Sequence, residues 1–292
     1  MGGLFQSIEA FKDLINTIFK NEHLSTPKTI TNLTPGTNAV FRVDDYVIKL
    51  FAPKESGFIT ERDYKVELES LIWAKKCGVN CPTIVTTNVI SDKYIFRYII
   101  MEYIDGYEIG NKLKDYSEEK QILLAKEIRS ITKKLNQIVD KSLFKKDIVH
   151  TVLHNKKWDK YQNRVKQQIF DHVQKLDFNN QVFVHGDLTK ENVLINHDNQ
   201  LVVIDFADSL LAPYYYEYSP ILFDLFDFNP ILIKSLFKDV NPSTVDDIFN
   251  SLLVHEYGAD FIHLIYKRCY QSINQINDIK EIKSIIENMI LS

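Results

Sequence analysis

The pattern of apolar residues changes from strand-like to helix-like about one third of the way along the chain, and this change most constrains the fold. Three segments rich in β-branched and aromatic residues are bounded by turn residues, as strands are: residues 28–51, 83–90 and 94–104. A segment with helical spacing, 61–77, lies among them. After residue 106 helical spacing dominates: residues 117–139, residues 157–176 and most of the chain from 217 onwards. The sequence therefore predicts an α+β protein of two lobes, residues 1–103 and residues 104–292.

Composition excludes several classes of protein. The chain has 292 residues, 25% of them charged, and a net charge of −4, which gives no general reason to expect a nucleic-acid or membrane partner. No apolar run reaches the roughly 18–20 residues of a membrane span. Three cysteines and a start without a secretory signal predict a reducing, cytoplasmic location. Nothing in the sequence indicates an obligate protein partner.

The segment 182–195, which reads VFVHGDLTKENVLI, places a polar loop between two strand-like runs. Asp187 and Asn192 lie five residues apart in this loop, and Asp205 ends the later apolar run LVVI. A carboxylate at the end of a buried strand is costly unless it is paired with a charge or a metal. Two carboxylates and an amide suit one proton acceptor and the ligands of a hard cation such as Mg²⁺, a set that phosphoryl transfer requires. Asp and Asn also commonly cap turns, and for this segment alone that alternative stays open.

The spacing of these residues resembles a known group of enzymes. The pattern HGDLxxxNxL, with the Asp of IDF thirteen residues after the Asn, is similar to that of the aminoglycoside phosphotransferase and choline kinase group of the protein-kinase-like superfamily. The resemblance implies a protein-kinase-like fold, with a small antiparallel sheet in the N-terminal lobe and a larger helical C-terminal lobe. It assigns Asp187 as the catalytic residue that accepts a hydroxyl proton, and Asn192 and Asp205 as the metal ligands. His185 is then a buried structural residue, and Glu217 supports the loop through hydrogen bonds.

Upstream residues extend the resemblance to the nucleotide. Lys49, in the strand-like run YVIKLF, corresponds to the lysine that holds the α- and β-phosphates, and Glu67, six residues before a tryptophan, to the glutamate that orients it. By itself Lys49 would also suit a solvated edge strand. The backbone at three consecutive residues of the turn LTPGTNAVF is expected to contact a phosphate: Gly36, Thr37 and Asn38.

The segment MEYIDG resembles the hinge of the same group and predicts how the base is bound. By this match the Glu102 carbonyl and the Ile104 amide contact the adenine of ATP, with GTP as an alternative donor. The turn LTPGTNAVF has one glycine where a protein kinase has three, and only about ten residues separate IDF from Glu217. Both features argue against a protein kinase.

The acceptor is predicted from charge alone. Residues 205–260 contain ten acidic and two basic side chains, a net charge of −8. This suits a cationic acceptor such as an aminosugar or a choline-like molecule. The candidate contacts are Asp208, Glu256 and Asp260, and the last two are expected one turn apart on one helix. The alternative that these acids cap helices or face solvent stays open.

These inferences together predict an ATP- and Mg²⁺-dependent phosphotransferase that acts on a hydroxyl of a small, cationic molecule. The alternatives are a pseudokinase, a nucleotide-binding regulatory module without turnover, and, less favoured, a protein kinase. All four positions that the chemistry needs are intact, which favours the enzyme: Lys49, Asp187, Asn192 and Asp205.

Overall fold

The structure is a computed structural model, and it describes residues 7–33, 38–57, 60–237 and 240–291. The chain forms two compact units. The first unit comprises Met1–Gly106 together with Asn196–Asp208, and the second comprises Tyr107–Ile195 together with Ser209–Ser292. A short piece of the later chain thus belongs to the first unit. The predicted α+β class, with a small antiparallel sheet followed by a helical region, is confirmed.

The first unit is built on a five-stranded antiparallel sheet. Its strands follow the spatial order β1-β2-β3-β5-β4. Their bounds are β1 Ile30–Asn32, β2 Ala39–Val43, β3 Tyr46–Phe51, β4 Ile84–Ser91 and β5 Ile95–Glu102. Two helices accompany them, α1 Ile8–Asn21 and α2 Thr60–Lys76. Strand β9, Leu201–Val203, lies in the returning piece of chain, and β6, Gly106–Glu108, and β8, Val193–Asn196, lie where the chain passes from one unit to the other.

Helix α1 forms much of the core of the first unit. Ser7 caps its start, because the Ser7 side chain accepts a hydrogen bond from the Ala10 N–H at 3.2 Å. The apolar face of the helix packs in one buried cluster with side chains of the sheet: Phe11, Ile15, Ile18 and Phe19 with Phe41, Ile48, Tyr98 and Ile100. Each such side chain contributes about 1.5–3 kcal/mol through burial. The cluster keeps the sheet, which carries Lys49, in one fixed geometry.

The second unit is mainly helical, with one pair of short antiparallel strands. The helices are α3 Glu118–Leu135, α4 Ile148–Leu153, α5 Asn163–Val173, α6 Tyr218–Pro220, α7 Pro230–Leu236, α8 Pro242–Val254, α9 Gly258–Arg268 and α10 Ile279–Leu291. The strands are β7 Val182–Val184 and β10 Leu210–Ala212. None of the helices in the described ranges is long and apolar enough to cross a membrane.

Two predicted helices are shorter in the structure than in the sequence pattern. Helix α3 begins after Ser117, the predicted N-cap, but ends at Leu135 because Asn136 adopts a non-helical backbone with ψ of 61°. In the segment 157–176 only Asn163–Val173 is α-helical, and Lys156–Lys160 forms a separate 3₁₀ turn around the buried Trp158. In both segments the helical spacing of apolar residues continues past the last residue of the α-helix. Such differences are usual at helix ends.

Candidate functional site

The first unit holds a buried lysine between two carboxylates. Lys49 lies in β3, in register with Val40 of β2 and Ile99 of β5, so that its backbone is fixed on both sides. Its Nζ lies 2.9 Å from Glu67 Oε2 and 2.7 Å from Asp205 Oδ1. Glu67 comes from α2, whereas Asp205 comes from the piece of chain that returns to this unit. Three segments of the first unit are thus joined by one ammonium group.

The charges in this cluster depend on one another. Burial alone would lower the pKa of Lys49, but attraction by Asp205 and Glu67 outweighs burial and raises it. Lys49 is therefore a fixed positive charge at neutral pH. Burial raises the pKa of Glu67 to about 7. Attraction by Lys49 lowers this pKa, but repulsion by the negative charge of Asp205 partly offsets that attraction. The Glu67 carboxyl also accepts a hydrogen bond from the backbone N–H of Phe206, which ties α2 to the residue after Asp205.

Asp205 occupies an unusual backbone conformation. Its φ is +57°, in the left-handed region that few residues other than glycine adopt. It follows β9, whose last residue, Val203, donates a backbone hydrogen bond to the Asn80 carbonyl at 2.9 Å. Such conformations cost on the order of 1–3 kcal/mol and persist where the surroundings fix them, often at functional sites. Here the ion pair with Lys49 contributes to fixing it.

The other nucleotide-contact residues predicted for this unit are only partly described. Gly36 and Thr37 lie outside the described residues. Asn38 is buried, and its side-chain oxygen accepts from the Ala52 N–H at 3.4 Å. Glu102 ends β5 and donates its N–H to the Thr83 carbonyl at 2.9 Å. In the described part of the chain no group accepts a hydrogen bond from the Ile104 N–H, so it is available to a ligand.

The 185–192 loop of the second unit brings Asp187 and Asn192 into contact. Gly186, at φ +85°, makes the sharp turn after β7. Asn192 Nδ2 then donates to both the carbonyl oxygen and Oδ2 of Asp187, each at 2.9 Å. The amide of Asn192 thereby fixes the direction of the Asp187 carboxylate.

His185 is fully buried and serves the loop itself. Its Nδ1 accepts from the Asp187 N–H at 3.2 Å. Glu217, also fully buried, accepts hydrogen bonds from the backbone N–H groups of His185 and Gly186. Burial raises the pKa of Glu217 to about 8. The Glu217 carboxyl thus holds the backbone at the start of the loop.

Two further side chains that hold this loop were not predicted from the sequence. Asp224 accepts from the Lys190 N–H at 2.9 Å. His255 Nε2 lies 2.9 Å from the Gly186 carbonyl oxygen. The segment containing Asp224, Ile221–Leu225, forms a π-helical turn, a feature often associated with function. No periodicity reveals either contact, because each joins positions at least 34 residues apart.

The acids proposed to bind the acceptor differ from the expectation. Glu256 and Asp260 do not share a helix: α8 ends at Val254, and Glu256 lies before α9 whereas Asp260 lies in its first turn. Glu256 is 2.6 Å from Lys146 Nζ, and Asp260 is paired with Lys157 at 2.8 Å and Lys160 at 2.6 Å. These lysines outweigh burial and lower the pKa of both carboxyls. Asp208 is exposed, in a turn of the first unit.

The acidic segment as a whole is neutralised in the same way. Of the nine acids that lie in the described ranges, six have a basic partner within 4.0 Å: Asp205, Asp224, Asp227, Asp246, Glu256 and Asp260. All of these partners lie outside residues 205–260. The net charge of −8 is thus a property of the sequence window, and pairing across the fold largely removes it.

Each unit offers one side chain with an oxygen of the kind that magnesium prefers. Asp205 offers a carboxylate that is half exposed. Asn192 uses its Nδ2 for Asp187, so its Oδ1 is the atom that it offers to a cation. Within the described ranges no group of three or more His, Cys, Asp or Glu side chains could hold a metal. A Mg²⁺ ion bound to either residue would therefore take most of its ligands from phosphate and water.

The fold resembles solved structures of phosphotransferases. The GDP complex of wild-type aminoglycoside 2'-phosphotransferase-IIIa superposes with a TM-score of 0.66, at 18% identity, over 97% of this chain and 98% of that one. The streptomycin–ATP complex of APH(2")-IIa gives 0.61 at 20% identity, over 87% and 90% of the chains. A choline/ethanolamine kinase family protein from Mesorhizobium loti gives 0.57 at 13% identity, over 96% and 92%. These likenesses confirm the predicted protein-kinase-like fold.

Sequence comparison identifies the family directly. No curated protein matches the chain significantly. The model of the phosphotransferase enzyme family APH, however, matches residues 29–239, well over half of the chain. The predicted resemblance and the prediction of a small-molecule kinase are thereby confirmed. The chain belongs to the phosphotransferase enzyme family APH.

Proposed function

We propose that the protein transfers the terminal phosphoryl group of ATP, bound with Mg²⁺, to a hydroxyl of a small molecule. The observation that carries this proposal is the Lys49 ammonium, which is buried and held at 2.9 Å from Glu67 and 2.7 Å from Asp205. A charge fixed in advance stabilises phosphate oxygens without reorganisation during the reaction. The first unit is then the nucleotide-binding part of the chain, and the second carries the residue that acts on the acceptor.

The nucleotide would be held mainly by the first unit. Lys49 would bind the α- and β-phosphates, and the Glu102 carbonyl and the Ile104 N–H would contact the base. The available N–H of Ile104 supports this assignment. Similar structures contain ATP in one case and GDP in another, so both ATP and GTP belong in the test.

Asp187 would act on the acceptor. Its carboxylate is aimed by Asn192, and we propose that it aligns the acceptor hydroxyl and accepts its proton. The hydroxyl oxygen forms a bond to the γ-phosphorus, the bond from that phosphorus to the β–γ bridging oxygen breaks, and ADP leaves. Because the transition state is loose, alignment contributes more than basicity. Asp205 and Asn192 would hold Mg²⁺, which neutralises charge on the phosphates when bound.

The proposed acceptor is a cationic alcohol. Support comes from similar structures, which include complexes with kanamycin, streptomycin and gentamicin and a member of the choline/ethanolamine kinase family. Glu256 and Asp260 are paired with lysines, so an acceptor ammonium would bind them only by displacing Lys146 or Lys157. Asp208 is exposed and stays a proposed acceptor contact.

The decisive experiment is an assay of nucleoside diphosphate release with a panel of amino-alcohols, choline-like alcohols, aminoglycosides and neutral sugars. Each is tested with ATP and with GTP, in Mg²⁺ and in excess EDTA, and Asp187→Asn serves as the inactive control. Turnover that needs an acceptor, Mg²⁺ and Asp187 is the expected result. Tight binding of ATP–Mg²⁺ without turnover on any acceptor would instead identify a nucleotide-binding regulatory module.

A further inference from the structure

The peptide group that joins Gly186 to Asp187 is held at both ends by histidine rings. The Asp187 N–H donates to His185 Nδ1 at 3.2 Å, and the Gly186 carbonyl lies 2.9 Å from His255 Nε2. We propose that His255 is a positioning residue for phosphoryl transfer, which sets the orientation of Asp187 through the Gly186 carbonyl. This inference rests on the function proposed above, since it takes Asp187 as the group that aligns the acceptor.

The hydrogen bonds of His255 define its chemical form. A carbonyl can only accept, so His255 Nε2 must carry the proton that it donates to Gly186. The Tyr257 N–H can only donate, so His255 Nδ1, at 3.1 Å, must accept. The neutral ring thus makes both hydrogen bonds, one as donor and one as acceptor. Burial also lowers the pKa of His255 to about 4, which agrees with a neutral ring at physiological pH.

The ring of His255 has little freedom to move. It is buried, and the ring of Tyr216 lies 4.5 Å from it between centroids. The backbone that follows is equally constrained, because a Cβ at Gly258 would lie 1.7 Å from the Leu252 carbonyl oxygen. Three charged groups act on the ring, Glu256, Lys146 and Lys157, and the first two are paired with each other at 2.6 Å. His255 therefore presents its N–H to the loop from a fixed position.

Hydrogen bonds to the loop backbone fix the direction of the Asp187 side chain. Glu217 holds the N–H groups of His185 and Gly186, and His255 holds the next carbonyl. Rotation of the Gly186–Asp187 peptide would break the bonds to both histidines, so the Cα–Cβ bond of Asp187 keeps one orientation. Because a misplacement of about 1 Å can cost about a hundredfold in rate, loss of the His255 N–H should lower kcat. Nucleotide binding, assigned to the first unit, should not change.

Two substitutions of His255 test the two hydrogen bonds of its ring separately. His255→Gln places an amide N–H near the position of Nε2 and can keep the bond to Gly186. His255→Asn places its amide near Nδ1 and can keep only the bond with Tyr257. His172→Asn is the matched control, because within the described ranges the His172 ring contacts Asn250, at 2.8 Å from Nε2 to Oδ1, and Phe249 rather than the 185–192 loop. If the Asn variant does not fold, His255→Phe, which keeps a ring against Tyr216, takes its place.

Each variant is assayed for kcat and for the KM of ATP, per folded molecule, with the best acceptor of the panel. The expected result is a kcat for His255→Asn at least about tenfold below that of His255→Gln, a KM for ATP within about twofold of wild type in both, and a kcat near wild type for the His172 control. Equal kcat values for His255→Gln and His255→Asn would overturn the proposal.

Amide hydrogen exchange of residues 185–192, measured by mass spectrometry, gives a readout that needs no substrate. The proposal predicts faster exchange in His255→Asn than in His255→Gln and in wild type, whereas equal exchange in all three overturns it. If wild type turns over none of the acceptors, the proposed function fails, and the exchange data still decide whether His255 holds the loop.

Discussion

Glu217 makes the stability of the second unit depend on pH in an unusual direction. Its carboxyl is buried, and Oε2 has no hydrogen-bond partner in the described part of the chain, so ionisation inside the protein is costly. Burial raises the pKa from 4.5 to about 8. A carboxyl with a higher pKa in the folded than in the unfolded chain binds its proton more tightly when folded. The free energy of unfolding therefore falls as the pH rises through this interval.

The size of the effect follows from the two pKa values. Below the unfolded value of 4.5 both states are protonated and Glu217 has no pH-dependent effect, whereas above about 8 the whole penalty is present. Between about pH 5 and about pH 8 the loss amounts to about 3.5 kcal/mol, since each pKa unit corresponds to about 1.4 kcal/mol and the loss is incomplete near each of the two pKa values. Glu217→Gln cannot ionise, so its stability should lack this component. The variant should gain about 3.5 kcal/mol relative to wild type over the same interval.

The measurement is urea unfolding followed by tryptophan fluorescence. The chain has two tryptophans, and in a Trp73→Phe background only Trp158, buried in the second unit, reports. Wild type and Glu217→Gln are compared at about pH 5, 6.5 and 8. Glu256→Gln is the control, because Lys146 lowers the pKa of Glu256 and both states are ionised above about pH 6. Its difference from wild type should be constant between about pH 6.5 and 8.

The comparison depends on how the difference in free energy of unfolding changes with pH. A constant cost of placing an amide at this position therefore does not affect it. A difference between wild type and Glu217→Gln that stays constant from about pH 5 to 8 would refute the reasoning. It would mean that the two backbone N–H groups stabilise the carboxylate as well as water does.

Three other predictions concern the proposed chemistry. Lys49→Met should fold, because the Glu67 carboxyl can protonate when its partner is lost. The KM of this variant for ATP should nevertheless rise at least about tenfold. Wild-type activity at limiting ATP would remove Lys49 from the nucleotide site. Asp187→Asn should lower kcat by about two orders of magnitude or more while calorimetry still detects ATP–Mg²⁺ binding, and normal turnover would exclude the proposed role. Asp205→Asn should weaken binding of ATP in Mg²⁺ more than binding of ATP in EDTA, and an equal loss in both would argue against a metal ligand.

Local sequence determined the elements and the loop motif. The strands and helices follow from side-chain periodicity, which neighbouring residues impose whatever the rest of the chain does. The segment 182–195 encodes its own turn, because Gly186 permits the positive φ and Asn192 lies close enough along the chain to reach Asp187. These features, with Lys49 and Glu67, were sufficient to identify the family.

Only the tertiary structure decided how the charges are paired. Asp205 reaches Lys49 across 156 residues of sequence, because residues 196–208 return to the first unit. The acids of residues 205–260 meet basic partners from other segments, so a sum of charges over that window overstated its negative potential. The contact of His255 with Gly186 likewise joins residues 69 positions apart. Coulombic and hydrogen-bond energies depend on distance in space, and packing of the whole chain sets that distance.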